Sequence, residues 1–300
     1  MEELKAKMAQ LSFDALLPPA MATKAEDVGV TKISLGPFRQ FALAMLAGAF
    51  IAMGAVFSTT MVTGADTIPF GLQRLLAGLT FSLGLIMVVV AGSELFTGNV
   101  LIIIACANRK VTIRQLLRNW LIVWCGNFAG ALVTVYLMFL SNQYTFAQGQ
   151  VGLTAMNIAQ FKCNLGFWPA LVLGIYCNAL VCMAVWLCFS ARSTTDKILS
   201  IIPPITAFVA CGFEHSIANM YFIPIGLVIR EGAPGPYWTM IQRTAADFPH
   251  LTWGKFFLEN LIPVTIGNII GGAVLVGLMY WFIYLRPSWT GRAFRLKVDD

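Results

Sequence analysis

Two long apolar stretches of this chain are broken by one repeated pattern. Gly92-Ser93-Glu94-Leu95-Phe96-Thr97-Gly98-Asn99 interrupts the first, and Gly212-Phe213-Glu214-His215-Ser216-Ile217-Ala218-Asn219 interrupts the second, 120 residues later. Both read G-x-E-x-x-x-x-N. Lipid supplies no hydrogen-bond partners, so unwound backbone and a carboxylate at membrane depth are tolerated only inside protein or beside a cavity. The pattern therefore predicts two broken helices in a helical membrane protein, the arrangement that points to a transport site.

Composition leads the same way. The 300 residues are 58% hydrophobic and only 11% charged, with mean hydropathy +0.75, too little polar surface for an ordinary soluble domain. Six spans are expected at roughly 37–62, 70–106 (broken), 113–141, 167–190, 199–229 (broken) and 257–285. With both termini cytoplasmic, 15 of the 20 lysines and arginines fall on the cytoplasmic side. The other 5 (Arg74, Lys162, Arg230, Arg243 and Lys255) fall outside, so charge sets the orientation. The net charge of +6 is read as this bias rather than as a nucleic-acid footprint. Residues 1–36 lack a signal-peptide pattern and form a cytoplasmic segment ahead of a channel domain at 37–285. Within that segment, residues 11–34 are expected to form an amphipathic helix, with Phe13, Leu16, Leu17 and Met21 on its apolar face, anchored at the interface or covering a pore. Residues 286–300 form a short cytoplasmic tail. None of the seven cysteines forms a C-x-x-C pair, and neither a metal site nor a disulfide framework is expected.

The duplication reaches beyond the breaks. Asn119-x6-Gly126-Asn127-x2-Gly130 recurs as Asn260-x6-Gly267-Asn268-x2-Gly271, 141 residues on. Spans 1–3 and 4–6 are thus candidate repeats, and three spans per repeat invert the second copy in the membrane. This predicts an all-α fold with a pseudo-two-fold axis in the membrane plane, the architecture of many transporters. The glycines permit close helix contact, while Asn127 and Asn268 bond between helices or back to the broken backbone.

Gly92 and Gly212 suit helix C-termini, and Thr97 and Ser216 suit N-caps of the following half-helices. Two half-helix N-termini would then present free N–H groups and partial positive charge to an anion. Glu94 and Glu214, with Asn99 and Asn219, are assigned to support of the breaks, each carboxylate turning from the pore to accept from its own loop's N–H groups. His215 stands inside a break beside Glu214, and the only other histidine, His250, lies in a loop. An imidazole there can bond to an anion or pass it a proton, and a neutral weak acid crosses an apolar barrier more cheaply than its anion. Phe81, Leu85, Leu95, Phe96 and Phe208 flank the breaks and are candidates for constrictions that exclude hydrated ions.

The runs Phe213 to Met220, Phe81 to Leu85, Glu94 to Thr97 and Asn260 to Gly272 together resemble the formate/nitrite transporter family, most of all its formate channel branch, over about residues 12–286. The resemblance implies an aquaporin-like fold, a homopentamer with one pore per protomer, and a bacterial inner-membrane location. It implies transport of formate and related small monovalent anions, with no enzymatic activity and no cofactor. It makes His215 the central histidine and Thr97 its partner across the pore. Asn178 becomes a pore-lining residue, Leu85, Leu95 and Val181 one constriction, Phe81 and Phe208 another, and Lys162 a source of positive potential. It further implies contact with pyruvate formate-lyase through the N-terminal segment. Gly98-Asn99 departs from the small hydroxylated residues of close relatives, and the tail from Pro287 is unmatched. The alternative within the family is a nitrite or hydrosulfide channel. A water or glycerol pore is disfavoured by the absence of an Asn-Pro-Ala pair. A haem-bearing redox subunit is disfavoured by the lack of paired histidines in the spans.

Overall fold

The computed structural model describes residues 15–65 and 67–286, which contain helices and no strand. Residues 11–14, Phe13 among them, and the tail from 287 lie outside the described residues. In chain order the helices are α1 (Pro18–Ser34), α2 (Pro37–Val62), α3 (Phe70–Ala91), α4 (Phe96–Ala107), α5 (Ile113–Leu140), α6 (Gln150–Cys163), α7 (Phe167–Ser190), α8 (Thr194–Ala210), α9 (Ser216–Gly232), α10 (Gly235–Ile241) and α11 (Trp253–Tyr284). Helices α2, α3, α5, α7 and α11 are long and apolar enough to cross a membrane. The expected second span is α3 plus α4, and the expected fifth is α8 plus α9, each split at its break. The fifth begins earlier than expected because Ser193 and Asp196 form a reciprocal capping box that starts α8 at Thr194.

Two helix pairs are built alike. Helix α2 packs on α5, and α7 packs on α11. A Cβ on Gly126 would lie 2.5 Å from Cβ of Ala44, and one on Gly130 would lie 1.9 Å from the Met45 carbonyl oxygen. In the second pair, a Cβ on Gly267 or Gly271 would lie 2.2 Å from Leu171 O or 2.0 Å from Ile175 O. Backbones approach this closely only over glycine, and in lipid such packing replaces the hydrophobic drive that water would supply. The first half-helices α3 and α8 cross at Gly78 and Thr206, where a Cβ on Gly78 would stand 2.5 Å from Thr206 O. The two breaks are thereby brought to the middle of the molecule.

Helix α1 departs from the expected range. It starts at Pro18, with prolines in its first turn, so Leu16 and Leu17 precede it and Leu17 is exposed. Its buried face is Met21, Ala22, Ala25, Glu26 and Gly29, mostly small residues that let it sit on α4 and the end of α7. Polar contacts fasten it there. Lys24 Nζ donates to Phe189 O at 2.8 Å, and Ser190 Oγ donates to Leu16 O at 3.0 Å. Glu26 accepts from Asn108 at 2.7 Å and pairs with Lys110 at 2.8 Å.

Replacing Gly130 by alanine is expected to force α2 and α5 apart and to destabilise the protein by about 1–3 kcal/mol. Gly71→Ala, where nothing lies within 4 Å, is expected to be neutral or slightly stabilising. Thermal unfolding of the two purified variants checks the contrast.

Candidate functional site

Both first half-helices end on a glycine in the left-handed region, Gly92 at φ 80° and Gly212 at φ 75°. The turns close with Ser93 N donating to Val88 O and Phe213 N to Phe208 O, each at 3.0 Å. The N-caps lie two residues before the expected Thr97 in the first copy and one before the expected Ser216 in the second. Leu95 is the N-cap residue of α4 and makes no side-chain cap, and Thr97 is the second residue of the helix. In the second copy His215 itself is the cap, its Nδ1 accepting from Ala218 N at 3.0 Å, and Ser216 opens α9.

The broken backbone is satisfied by two asparagines. Asn127 Oδ1 accepts from Phe96 N at 2.9 Å, and its Nδ2 donates to Ala44 O and Glu94 O at 2.8 and 2.9 Å. Asn268 does the same in the second copy. Its Oδ1 accepts from Ser216 N at 2.9 Å, and its Nδ2 donates to Gly174 O and Glu214 O at 2.8 and 3.0 Å. Each side chain therefore binds a neighbouring helix and the break together. The first N–H of each half-helix is occupied, so these two groups are not the free anion donors expected from the sequence.

The carboxylates turn to side chains instead of their own loop's N–H groups. Glu94 Oε1 accepts from Lys32 Nζ at 2.7 Å and Oε2 from Asn99 Nδ2 at 2.6 Å; Asn99 Nδ2 also reaches Asn119 Oδ1 at 3.0 Å. Glu214 Oε1 accepts from Lys162 Nζ at 2.7 Å and Oε2 from Asn219 Nδ2 at 2.6 Å; Asn219 Nδ2 reaches Asn260 Oδ1 at 2.7 Å. An ion pair completes each group, as a carboxylate buried at this depth requires. Lys32 was missed from the sequence, where it stands in a segment rich in charge. The signal was available: Lys32 and Leu43-Ala44 precede Lys162 and Leu173-Gly174 by 130 residues, and Leu43 O and Leu173 O accept from Glu94 N and Glu214 N. Asn99, noted as a departure, is the counterpart of Asn219.

The two breaks meet at one contact. Thr97 Oγ1 and His215 Nε2 lie 2.9 Å apart, with Thr97 fully buried and His215 3% exposed. The Ala218 amide can only donate, so Nδ1 is an acceptor and the neutral ring carries its proton on Nε2. That proton points to Thr97 Oγ1. Asn178, fully buried on α7, donates from Nδ2 to Thr97 O at 3.2 Å and Asn268 O at 2.7 Å. Its amide nitrogen thus holds the break, while its Oδ1 finds no hydrogen-bond partner among the described residues.

The apolar residues divide around this contact. On one side Leu85 and Leu95 line a cavity of about 330 Å³, together with Val185 of α7 and Lys24 and Lys32 of α1. Val181 is buried one turn from Val185. Helix α1 is therefore a wall of this cavity. On the other side Phe81 and Phe208 meet edge to face at 5.7 Å, and Phe208 lies along the His215 ring at 5.9 Å. Phe96 joins neither group: its ring contact is Trp120 of α5, at 6.3 Å.

Asn127→Leu is expected to strand the Phe96 N–H and the Glu94 carbonyl at about 1–3 kcal/mol each, lowering the yield of folded protein. Asn127→Asp retains the acceptor for Phe96 N and is expected to fall between that variant and the wild type. Thermal unfolding and the yield of monodisperse protein test the order.

Comparison with known proteins places this geometry. A model of the family described as "Formate/nitrite transporter" matches residues 19–282. The chain is 51% identical to the formate channel FocA of Escherichia coli strain K12 over 276 residues, covering 92% of this chain and 97% of the relative. It is 41% identical to the formate channel FocA of Haemophilus influenzae, covering 91% and 96%. A solved structure described as a pentameric formate channel with formate bound superposes with a TM-score of 0.80 at 47% identity, covering 83% of this chain and 98% of that one. An ion channel of the same family at 24% identity shares the fold, with a TM-score of 0.75. With the family model spanning most of its length, this multi-pass membrane protein belongs to the formate/nitrite transporter family.

Proposed function

We propose that the chain is a formate channel of the bacterial inner membrane, a homopentamer with a pore in each protomer. Both termini face the cytoplasm, and the two three-span halves are inserted in opposite senses. The observation that carries the reading is the buried 2.9 Å contact between Thr97 and His215, which joins the two breaks between two apolar constrictions. The relatives named above, formate channels, supply the substrate.

Formate enters from the 330 Å³ cavity, where Lys24 attracts it past Leu85 and Leu95 and Lys32 neutralises Glu94. At the centre, the His215 Nε2–H donates to Thr97 Oγ1, which leaves the threonine hydroxyl proton for a formate oxygen. The anion then draws on Nε2–H as well, and beyond it lie Phe81 and Phe208. Lys162 supplies positive potential on that side. Asn178 positions Thr97 through the Thr97 carbonyl. A second proton on the ring would go to Nδ1 and face the Ala218 N–H, so protonating His215 releases the N-terminus of α9. The reading is therefore a passive, pH-sensitive channel in which the neutral ring bonds the anion. Contact with pyruvate formate-lyase, where it occurs, engages the exposed side of α1.

Formate flux into proteoliposomes across a pH series, with and without an imposed proton gradient, tests this. The wild type is expected to equilibrate formate without accumulating it, and His215→Phe to flatten the pH profile. Accumulation driven by the gradient and lost in His215→Phe would replace the channel by a proton-coupled carrier. Thr97→Val removes one hydrogen bond to a charged substrate and is expected to lower flux at least about tenfold. Nitrite or hydrosulfide that outcompetes formate would reassign the substrate.

A further inference from the structure

The aromatic contacts on the Lys162 side extend past the pair already described. Phe222, in the second turn of α9, stacks on Phe81 with ring centroids 6.0 Å apart and planes 20° from parallel. The Lys162 ammonium stands 5.5 Å from the centroid of the same ring while it pairs with Glu214 at 2.7 Å. Rings and charges therefore run in one chain from Lys162 through Phe222, Phe81 and Phe208 to His215. Phe81 and Phe208 are fully buried, whereas Phe222 is partly exposed, as a ring at the rim of the constriction would be.

A cation over an aromatic face is held by the ring quadrupole, and a stacked pair adds stability beyond its buried area. Phe222 satisfies both conditions together, one face towards Phe81 and the ammonium over its ring. We propose that Phe222 is a specificity-determining residue for transport, the third wall of the aromatic constriction and the platform that holds the Lys162 ammonium at its rim. The proposal rests on the reading of the chain as a channel for small carboxylates. Its two parts separate by chemistry. Width depends on bulk at position 222, and anion attraction depends on a π face there.

The test uses full-length wild type, Phe222→Ala, Phe222→Leu and Phe222→Tyr reconstituted in liposomes after size-exclusion chromatography shows equal assembly. Fluxes of formate, nitrite, acetate and lactate are measured. Phe222→Ala is expected to raise the acetate-to-formate flux ratio about tenfold, the scale of one lost aromatic pair with its cation contact. Phe222→Leu keeps the bulk, so its ratio stays within about twofold of wild type while the half-saturating formate concentration rises about threefold to tenfold. Phe222→Tyr, which keeps the π face, is expected to match the wild type in both. An unchanged ratio in an assembled Phe222→Ala overturns the role in width, and an unchanged half-saturation in Phe222→Leu overturns the role in holding the ammonium. Should Phe222→Ala not assemble, Phe222→Val takes its place as the variant of reduced bulk, read by the same acetate-to-formate ratio. A wild type that passes nitrite but not formate overturns the substrate assignment alone, and the same comparison is then read as acetate against nitrite. A wild type that passes none of the four overturns both readings.

Discussion

Everything at the centre of this molecule depends on satisfying backbone that has left the helix where no water is present. An unpaired amide or carbonyl in hydrocarbon costs several kcal/mol. Asn127 and Asn268 meet that requirement with one side chain each, accepting from the first amide of a half-helix and donating to two carbonyls. Each can do so only because the glycines one residue before and three residues after it bring the helix backbones within reach. The close α2–α5 and α7–α11 packings are therefore conditions for the breaks, and the breaks are conditions for the Thr97–His215 contact.

Upon this duplicated frame the chemistry is unequal. Positions 95 and 215 correspond, as do 97 and 217, yet one copy reads Leu95 and Thr97 while the other reads His215 and Ile217. Leu95 makes no cap and faces the cavity; His215 caps α9 and turns its other nitrogen to the opposite copy. Asn178, which holds the Thr97 carbonyl, corresponds to Gly48, where a Cβ would stand 2.0 Å from Asn127 O. One half of the scaffold thus contributes a hydroxyl and an apolar cavity wall, the other an imidazole with a fixed tautomer. Neither half alone makes the site.

What the sequence disclosed was set by how local the physics is. Span limits, break glycines and the two asparagines were legible because hydropathy, positive φ and repeated spacing are local signals. His215 stood out because an ionisable group inside a span is costly. Partners across the fold were hidden. Glu94 and Glu214 were recognised as buried, but sequence spacing suggested their own loops, whereas the lysines that neutralise them come from α1 and α6. Thr97 looked like an N-cap because hydroxyl residues favour that place. The helix starts two residues sooner, with Leu95 at the cap position, and Asn127, from another helix, takes over the capping. The range of α1 was overextended because helical spacing of apolar residues cannot reveal that Pro18 sets its start. Phe96 packs on Trp120 for a similar reason: proximity to a break along the chain says little about which way a ring points across it.

The placement of charge then explains how the centre of the fold tolerates two carboxylates. An unpaired glutamate there would repel the substrate and carry a large desolvation penalty. Each glutamate is instead locked to an ammonium at 2.7 Å and to an asparagine amide at 2.6 Å, so each group is neutral as a unit. Asparagine serves well as the second partner because it donates a strong bond without adding a charge. At the wall of the cavity Lys24 adds a positive charge that no carboxylate pairs with in this way, since it bonds to a carbonyl. Removing either lysine of a pair would undo this balance, exposing a carboxylate to an approaching anion and leaving a buried charge unpaired, at a cost of about 3–5 kcal/mol. The pairs that make the breaks stable are thus also what would keep the proposed anion path free of negative charge, which ties stability to permeation at Glu94 and Glu214.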